Sequence, residues 1–181
     1  VGGVGSRAFN SCKMLKSITI PDSVTTIGEW AFSYCSGLAE SLTLPDGLTS
    51  IGEGAFYTTS LTSVIIGDSV ITIGNRAFFQ CTSLASVTIP NSVTTIGDRA
   101  FFHCTSWTSV TIPNSVETIG IYAFSQCKSL TSVTIGESVK TINGYAFSGC
   151  SSLAGSLTLP DGLTSIGEAA FSGCSGLTAL T

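Results

Sequence analysis

The sequence predicts a β-rich solenoid, a right-handed coil with a parallel sheet and single helical turns. Three observations carry that prediction. An Ala-Phe pair recurs with its Phe at positions 9, 32, 56, 78, 101, 124, 147 and 171, spaced by 23, 24, 22, 23, 23, 23 and 24 residues. Around each pair the same residue types return at the same offsets, as in Leu84, Val87, Ile89, Pro90, Val93, Ile96, Gly97, Ala100, Phe101 and Cys104. The few length changes fall between these columns and leave them in register. A fixed period of this size is the signature of stacked supersecondary units.

Within a unit, Ser86-Val87-Thr88-Ile89 alternates polar with β-branched apolar residues and predicts a half-buried strand. Pro90-Asn91-Ser92 turns the chain, as Pro45-Asp46-Gly47 and Gly67-Asp68-Ser69 do elsewhere. Val93 and Ile96 point inward from a second short extended segment that Gly97 ends. Ala100, Phe101 and Cys104 fit one helical turn, with Phe101 and Cys104 on one face. Leu84 closes the circuit. No unit can bury this face alone, but each covers the next when stacked.

One residue is added before the strand at Ala39-Glu40-Ser41-Leu42 and at Ala154-Gly155-Ser156-Leu157. One residue and the Cys are missing in Phe56-Tyr57-Thr58-Thr59-Ser60-Leu61. Val4-Gly5 aligns with Ile27-Gly28, and Leu177 to Thr181 with the start of another strand, with no polar cap beside either. The expectation is one solenoid domain over residues 1–181, about eight units incomplete at both ends, as a fragment of a longer array or with ends covered by a partner.

Ile112 through Cys127 reads I-P-x-S-V-x-x-I-G-x-x-A-F-x-x-C, and this pattern resembles the BspA-like class of leucine-rich repeats across the whole chain. The resemblance implies a leucine-rich-repeat-type coil that serves in adhesion or protein–protein binding, often at a cell surface. Ser92, Ser115 and Ser138 hold the place where the commoner leucine-rich consensus has Asn or Cys.

Composition narrows the function classes. The chain is 43% apolar and 10% charged, with net charge −4 and its seven Lys and Arg scattered, whereas a phosphate-tracking groove needs clustered bases. No apolar run is long enough to span a bilayer. No nucleophile-elbow, zinc-protease, phosphate-loop or dinucleotide motif occurs. No enzyme activity and no cofactor is expected.

Cys12, Cys35, Cys81, Cys104, Cys127, Cys150 and Cys174 all follow the repeat Phe by three, a column expected to hold small, buried, reduced thiols. Such a collinear column does not converge on a tetrahedral metal. His103 lies beside Cys104, but neighbours on a turn point apart. The Asp22, Asp46, Asp68, Asn91, Asn114, Glu137 and Asp161 column is turn chemistry. Thr19, Thr43, Thr88, Thr111, Thr134 and Thr158 form an outward ladder, interrupted by Ile65, of the kind an ice-binding surface needs.

The strongest candidate for a protein-binding surface flanks the Ala-Phe pair. Trp30, Arg76, Arg99, Tyr122 and Tyr145 stand two residues before the Phe, and Phe79 and Phe102 one after it. Trp, Tyr and Arg are the types enriched in binding hot spots. The competing reading is that these side chains merely cover the outer turn with their stems packed down. The expected function is a binding or scaffold module, with a structural subunit of a larger assembly and an ice-binding surface as alternatives.

Overall fold

The structure is a computed structural model and describes residues 2–181. It is a β-solenoid of about eight turns, with three backbone columns running along its axis.

The first column is the second extended segment of each unit. Strands β1 (Gly2–Val4), β2 (Val24–Ile27), β4 (Ser50–Ile51), β6 (Thr72–Ile73), β8 (Thr95–Ile96), β10 (Thr118–Ile119), β12 (Thr141–Ile142) and β14 (Ser165–Ile166) pair in that order in one parallel sheet. Ile27, Ile51, Ile73, Ile96, Ile119 and Ile142 point inward and are buried. Glycine follows five of these six, where the backbone of the neighbouring turn lies so close that a Cβ on Gly97 would sit 2.7 Å from the Asn75 amide nitrogen. Asn143 follows Ile142 and donates its side-chain amide to the Ile119 carbonyl.

The second column is the Ala-Phe turn, where the structure corrects the expected single helical turn. No helix forms among the described residues. The residues two before and two after each Phe adopt the left-handed conformation instead, as at Arg99 (φ 55°) and His103 (φ 61°). Reversing handedness twice stops the chain from coiling into a helix.

It also gives the peptide groups a common direction. The amides of Arg99, Phe101 and His103 donate to the carbonyls of Ile121, Ala123 and Ser125 in the next turn, each at 2.8 Å. The same three bonds recur at every step from Arg7, Phe9 and Ser11 to Tyr145, Phe147 and Gly149, always donated toward the C-terminal side. Strand ladders run bonds both ways and nearly cancel their dipoles. Here the peptide dipoles add, as in a helix, with the negative end at the first turn. The charges follow this polarity. Residues 2–21 hold Arg7, Lys13 and Lys16 and no acid, while residues 141–181 hold Asp161 and Glu168 and no base.

Inside this column the repeat phenylalanines stack face to face, from Phe9–Phe32 at 5.1 Å to Phe147–Phe171 at 5.4 Å. The six central rings are fully buried. The cysteines lie beside them as free thiols, buried except for Cys12. Their role is more specific than filling space. Cys104 Sγ donates to the Phe78 carbonyl at 3.3 Å and Cys127 Sγ to that of Phe101 at 3.3 Å, and the other buried thiols repeat the contact. Each thiol supplies a donor in an otherwise apolar column.

The third column comprises β3 (Ser41–Thr43), β5 (Ser63–Ile65), β7 (Ser86–Thr88), β9 (Ser109–Thr111), β11 (Ser132–Thr134), β13 (Ala154–Leu157) and β15 (Gly176–Leu180). The expected single sheet is split here into β3-β5-β7, β9-β11 and β13-β15, and Ser17–Thr19 of the first unit joins none of them. Two of the three seams coincide with the added residues near Glu40 and Gly155, which displace the incoming chain. The β7/β9 seam has no added residue. It falls where Trp107 stands in the Leu column, fully buried against Phe101 and Phe124. A larger ring in a close-packed layer must displace its neighbours, and the Trp107 Nε1–H is buried without an acceptor.

Candidate functional site

The left-handed turn residues project their side chains from the solenoid beside the Phe stack, and there the sequence-predicted residues meet. Tyr57 stacks on Phe79 with centroids 4.7 Å apart, and Phe79 on Phe102 at 4.9 Å. Phe102 meets Tyr122 edge-on at 6.4 Å, and Tyr122 stacks on Tyr145 at 4.7 Å. Trp30 and Tyr34 each reach Tyr57 at 5.3 Å and extend the line by one turn. All seven rings remain partly or largely open to solvent. One continuous aromatic stripe therefore lies outside the buried Phe stack and crosses from one flank of the Ala-Phe turn to the other.

All seven predicted residues belong to this surface. Arg99 places its guanidinium 4.9 Å from the Tyr122 ring centroid, a cation–π contact. Arg76 instead pairs with Glu53 at 2.7 Å across one turn, an exposed bridge worth at most about 1 kcal/mol. The Tyr145 hydroxyl donates to Glu168 at 2.9 Å, and that bond raises its pKa. Gly54 replaces the large residue in its unit because the Trp30 ring lies over it, where a Cβ would collide. Tyr34 and Tyr57 were not among the predicted site residues, although Tyr34 is the one aromatic carbocycle in a column of mostly polar residues and Tyr57 shares the column of Phe79 and Phe102.

The remaining chemistry is muted. Cys104 is fully buried, and desolvation holds its pKa well above the ordinary 9.0. His103 is half-buried and stacks on Phe102 at 6.0 Å. A thiol kept neutral by burial is a poor nucleophile. Burial likewise pushes Cys81 up to about 11 and Cys127 to about 12. Among the described residues no group of three or more His, Cys, Asp or Glu is placed to hold a metal ion. No helix among them is long and apolar enough to cross a membrane.

Stacked parallel strands, an inward Leu column and a repeated Phe turn define a leucine-rich-repeat solenoid. Residues 3–127 and 94–181 match the BspA type leucine rich repeat region in six copies, and the chain belongs to that family. A leucine rich cell surface protein from Faecalibacterium prausnitzii is similar over 87% of this chain, at 39% identity and a TM-score of 0.79. The match covers 42% of that protein, so this chain spans less than half its length. A leucine rich repeat protein of T. pallidum is similar over 98% of this chain and 72% of its own, at 31% identity and a TM-score of 0.74. The pneumococcal vaccine antigen PcpA shares the fold at 18% identity, over 99% of this chain and 67% of its own, with a TM-score of 0.50. No protein of curated function matches.

Proposed function

We propose that this chain is a non-catalytic binding module of a cell-surface adhesin and engages a protein partner through the aromatic–arginine stripe. The observation that carries this reading is the unbroken ring-to-ring contact from Tyr34 and Trp30 through Tyr57, Phe79, Phe102 and Tyr122 to Tyr145. Stacked rings hold one another rigid, so little side-chain entropy is lost on binding. Their free edges carry partial positive charge and favour a partner rich in carbonyl and carboxylate acceptors. Arg99, which has no carboxylate partner among the described salt bridges, adds to that preference. The likeness to a cell surface protein supports the location.

The test is paired capture on the full chain and on a variant carrying Arg76→Ser, Phe79→Ser, Arg99→Ser and Phe102→Ser. A partner retained by the first, lost by the second and rebound at least tenfold more tightly by the first when purified supports the stripe. Equal capture by both removes it. Ice binding has weaker support, because Ile65 interrupts the Thr ladder and the three seams break its regular spacing. Absence of thermal hysteresis ends that reading.

A further inference from the structure

The three seams in the strand column share one arrangement. At intact steps the residue after each strand donates to the next turn, as Ile66 N–H does to Thr88 at 3.2 Å and Ile112 N–H to Thr134 at 2.8 Å. The equivalent bonds from Ile20, Ile89 and Ile135 are missing among the described residues. So is the bond at the other end of each seam, which Ala85 and Thr131 make to the preceding turn at intact steps and Thr108 does not. A cleft opens at each place: about 220 Å³ between Lys16–Thr19 and Leu38–Leu42, about 410 Å³ between Ser86–Ile89 and Ser109–Thr111, and about 230 Å³ between Val133–Glu137 and Ser156–Thr158.

The middle cleft is the largest of the three and is lined without a charged residue, by the hydroxyls of Ser86, Thr88, Ser109 and Thr111 over Val87 and Ile89. Main-chain groups without a partner at its two ends include Ile89 N–H and the Thr111 carbonyl, and Thr108 N–H and the Ala85 carbonyl, which pair across the intact steps in the equivalent positions. Strands β7 and β9 still keep Cα atoms within 8 Å of one another. A peptide strand cannot enter, because two strand spacings need about 9.6 Å. A single oxygen can bridge, since two hydrogen bonds end to end need only about 5.6 Å. That oxygen must accept from an N–H and donate to a carbonyl at once. A carboxylate cannot donate and an ammonium cannot accept; a hydroxyl does both. The two pairs lie three residues apart along the strand, about 10 Å, so both are reached by hydroxyls on neighbouring rings rather than on one.

We infer that the β7/β9 seam is a binding site for a neutral saccharide at least two rings long, whose hydroxyls take the places of the missing ladder hydrogen bonds. The two seams with smaller clefts offer the same bridging positions to a longer glycan chain, which adds avidity without a new kind of contact. This site lies on a different column from the aromatic stripe and does not depend on it.

The experiment titrates the full chain with cellotetraose, xylotetraose, maltotetraose and chitotetraose, read by calorimetry and by amide hydrogen exchange. In the free protein Ile89 and Thr108 amides should exchange at least tenfold faster than that of Ile66. At least one saccharide should bind and slow both amides at least tenfold, and Thr88→Tyr and Ser109→Tyr, each on the exposed side of its strand, should each weaken it at least tenfold. The Phe79→Ser, Phe102→Ser variant should bind the saccharide as the parent does, which separates this site from the protein-binding stripe. The proposal is overturned if Ile89 and Thr108 are already as protected as Ile66, if no saccharide slows them because water alone fills the seam, or if an extended peptide protects them and saccharides do not.

Discussion

The Ala-Phe turn column and the strand column are built from the same repeats, yet one is continuous and the other is cut three times. Three bonds cross every step of the turn column, including the step where the unit after Phe56 is a residue short. The missing residue falls beyond Thr58, whose amide still donates to Phe79 at 2.8 Å, so the loop absorbs the change before it reaches the column. The added residues near Glu40 and Gly155 enter directly before β3 and within β13, and there the ladder parts. The turn column is further pinned by stacked rings and thiol hydrogen bonds, whereas the strand column has only its main chain and short side chains. A solenoid of this kind therefore keeps its spine on one side and can vary the other without unfolding.

The sharpest test of that contrast compares adjacent phenylalanines. Phe101→Ala removes a fully buried ring from the spine and should cost about 3–5 kcal/mol by urea unfolding. Phe102→Ala, from the half-open stripe, should cost less than half as much. Equal losses would mean that the outer stripe is part of the core.

Next in size is the backbone itself. Arg99→Val puts a β-branched residue where φ is 55° and should cost about 1–2 kcal/mol, while Arg99→Gly should be neutral or slightly stabilising. Thr111→Val, on the extended strand face, should be neutral.

Buried thiols make the spine sensitive to alkali. Cys81 and Cys127 hold folded-state values of about 11 and about 12 against an ordinary 9.0. Raised values mean that their contribution is fully present below pH 9 and is lost as pH rises toward those values, because the unfolded chain ionises first. Each should withdraw up to about 1.4 kcal/mol per pH unit in that window. Unfolding midpoints at pH 8, 9.5 and 10.5 in the parent and in Cys127→Ser check this; an unchanged slope in the variant would contradict it.

The smallest effect concerns the β7/β9 seam. Trp107→Leu exchanges an unpaired buried N–H and two ring contacts for the residue used in the other units, so relief of the unpaired group and closure of the seam should offset part of the cavity cost and keep the loss below that of Phe101→Ala. Exchange of the Ile89 and Thr108 amides should nevertheless slow to the rate of Ile66. Unchanged exchange would show that the Trp is not the wedge.

The period, the inward columns and the grouping of Trp30, Arg76, Phe79, Arg99, Phe102, Tyr122 and Tyr145 beside the Phe turn were legible in the sequence. Each depends only on residue type at a fixed offset, and stacking turns like offsets into neighbours. The left-handed turn was not legible, because the alternating handedness at Arg99 and His103 is imposed by hydrogen bonds to the next turn rather than by local preference; both are ordinary L residues there. Nor was the thiol-to-carbonyl contact, which joins Cys104 to Phe78 across 26 residues. The seams were half legible. The added residues and Trp107 marked their places, but whether a column yields or holds is decided by what spans it, and only the tertiary structure contains that. The sequence by itself determined the coil and its faces, because burial requires only the right residue at the right interval. Tertiary structure decided which ladders close and which stay open, because a hydrogen bond between turns depends on a spacing of a few ångströms that no single unit specifies.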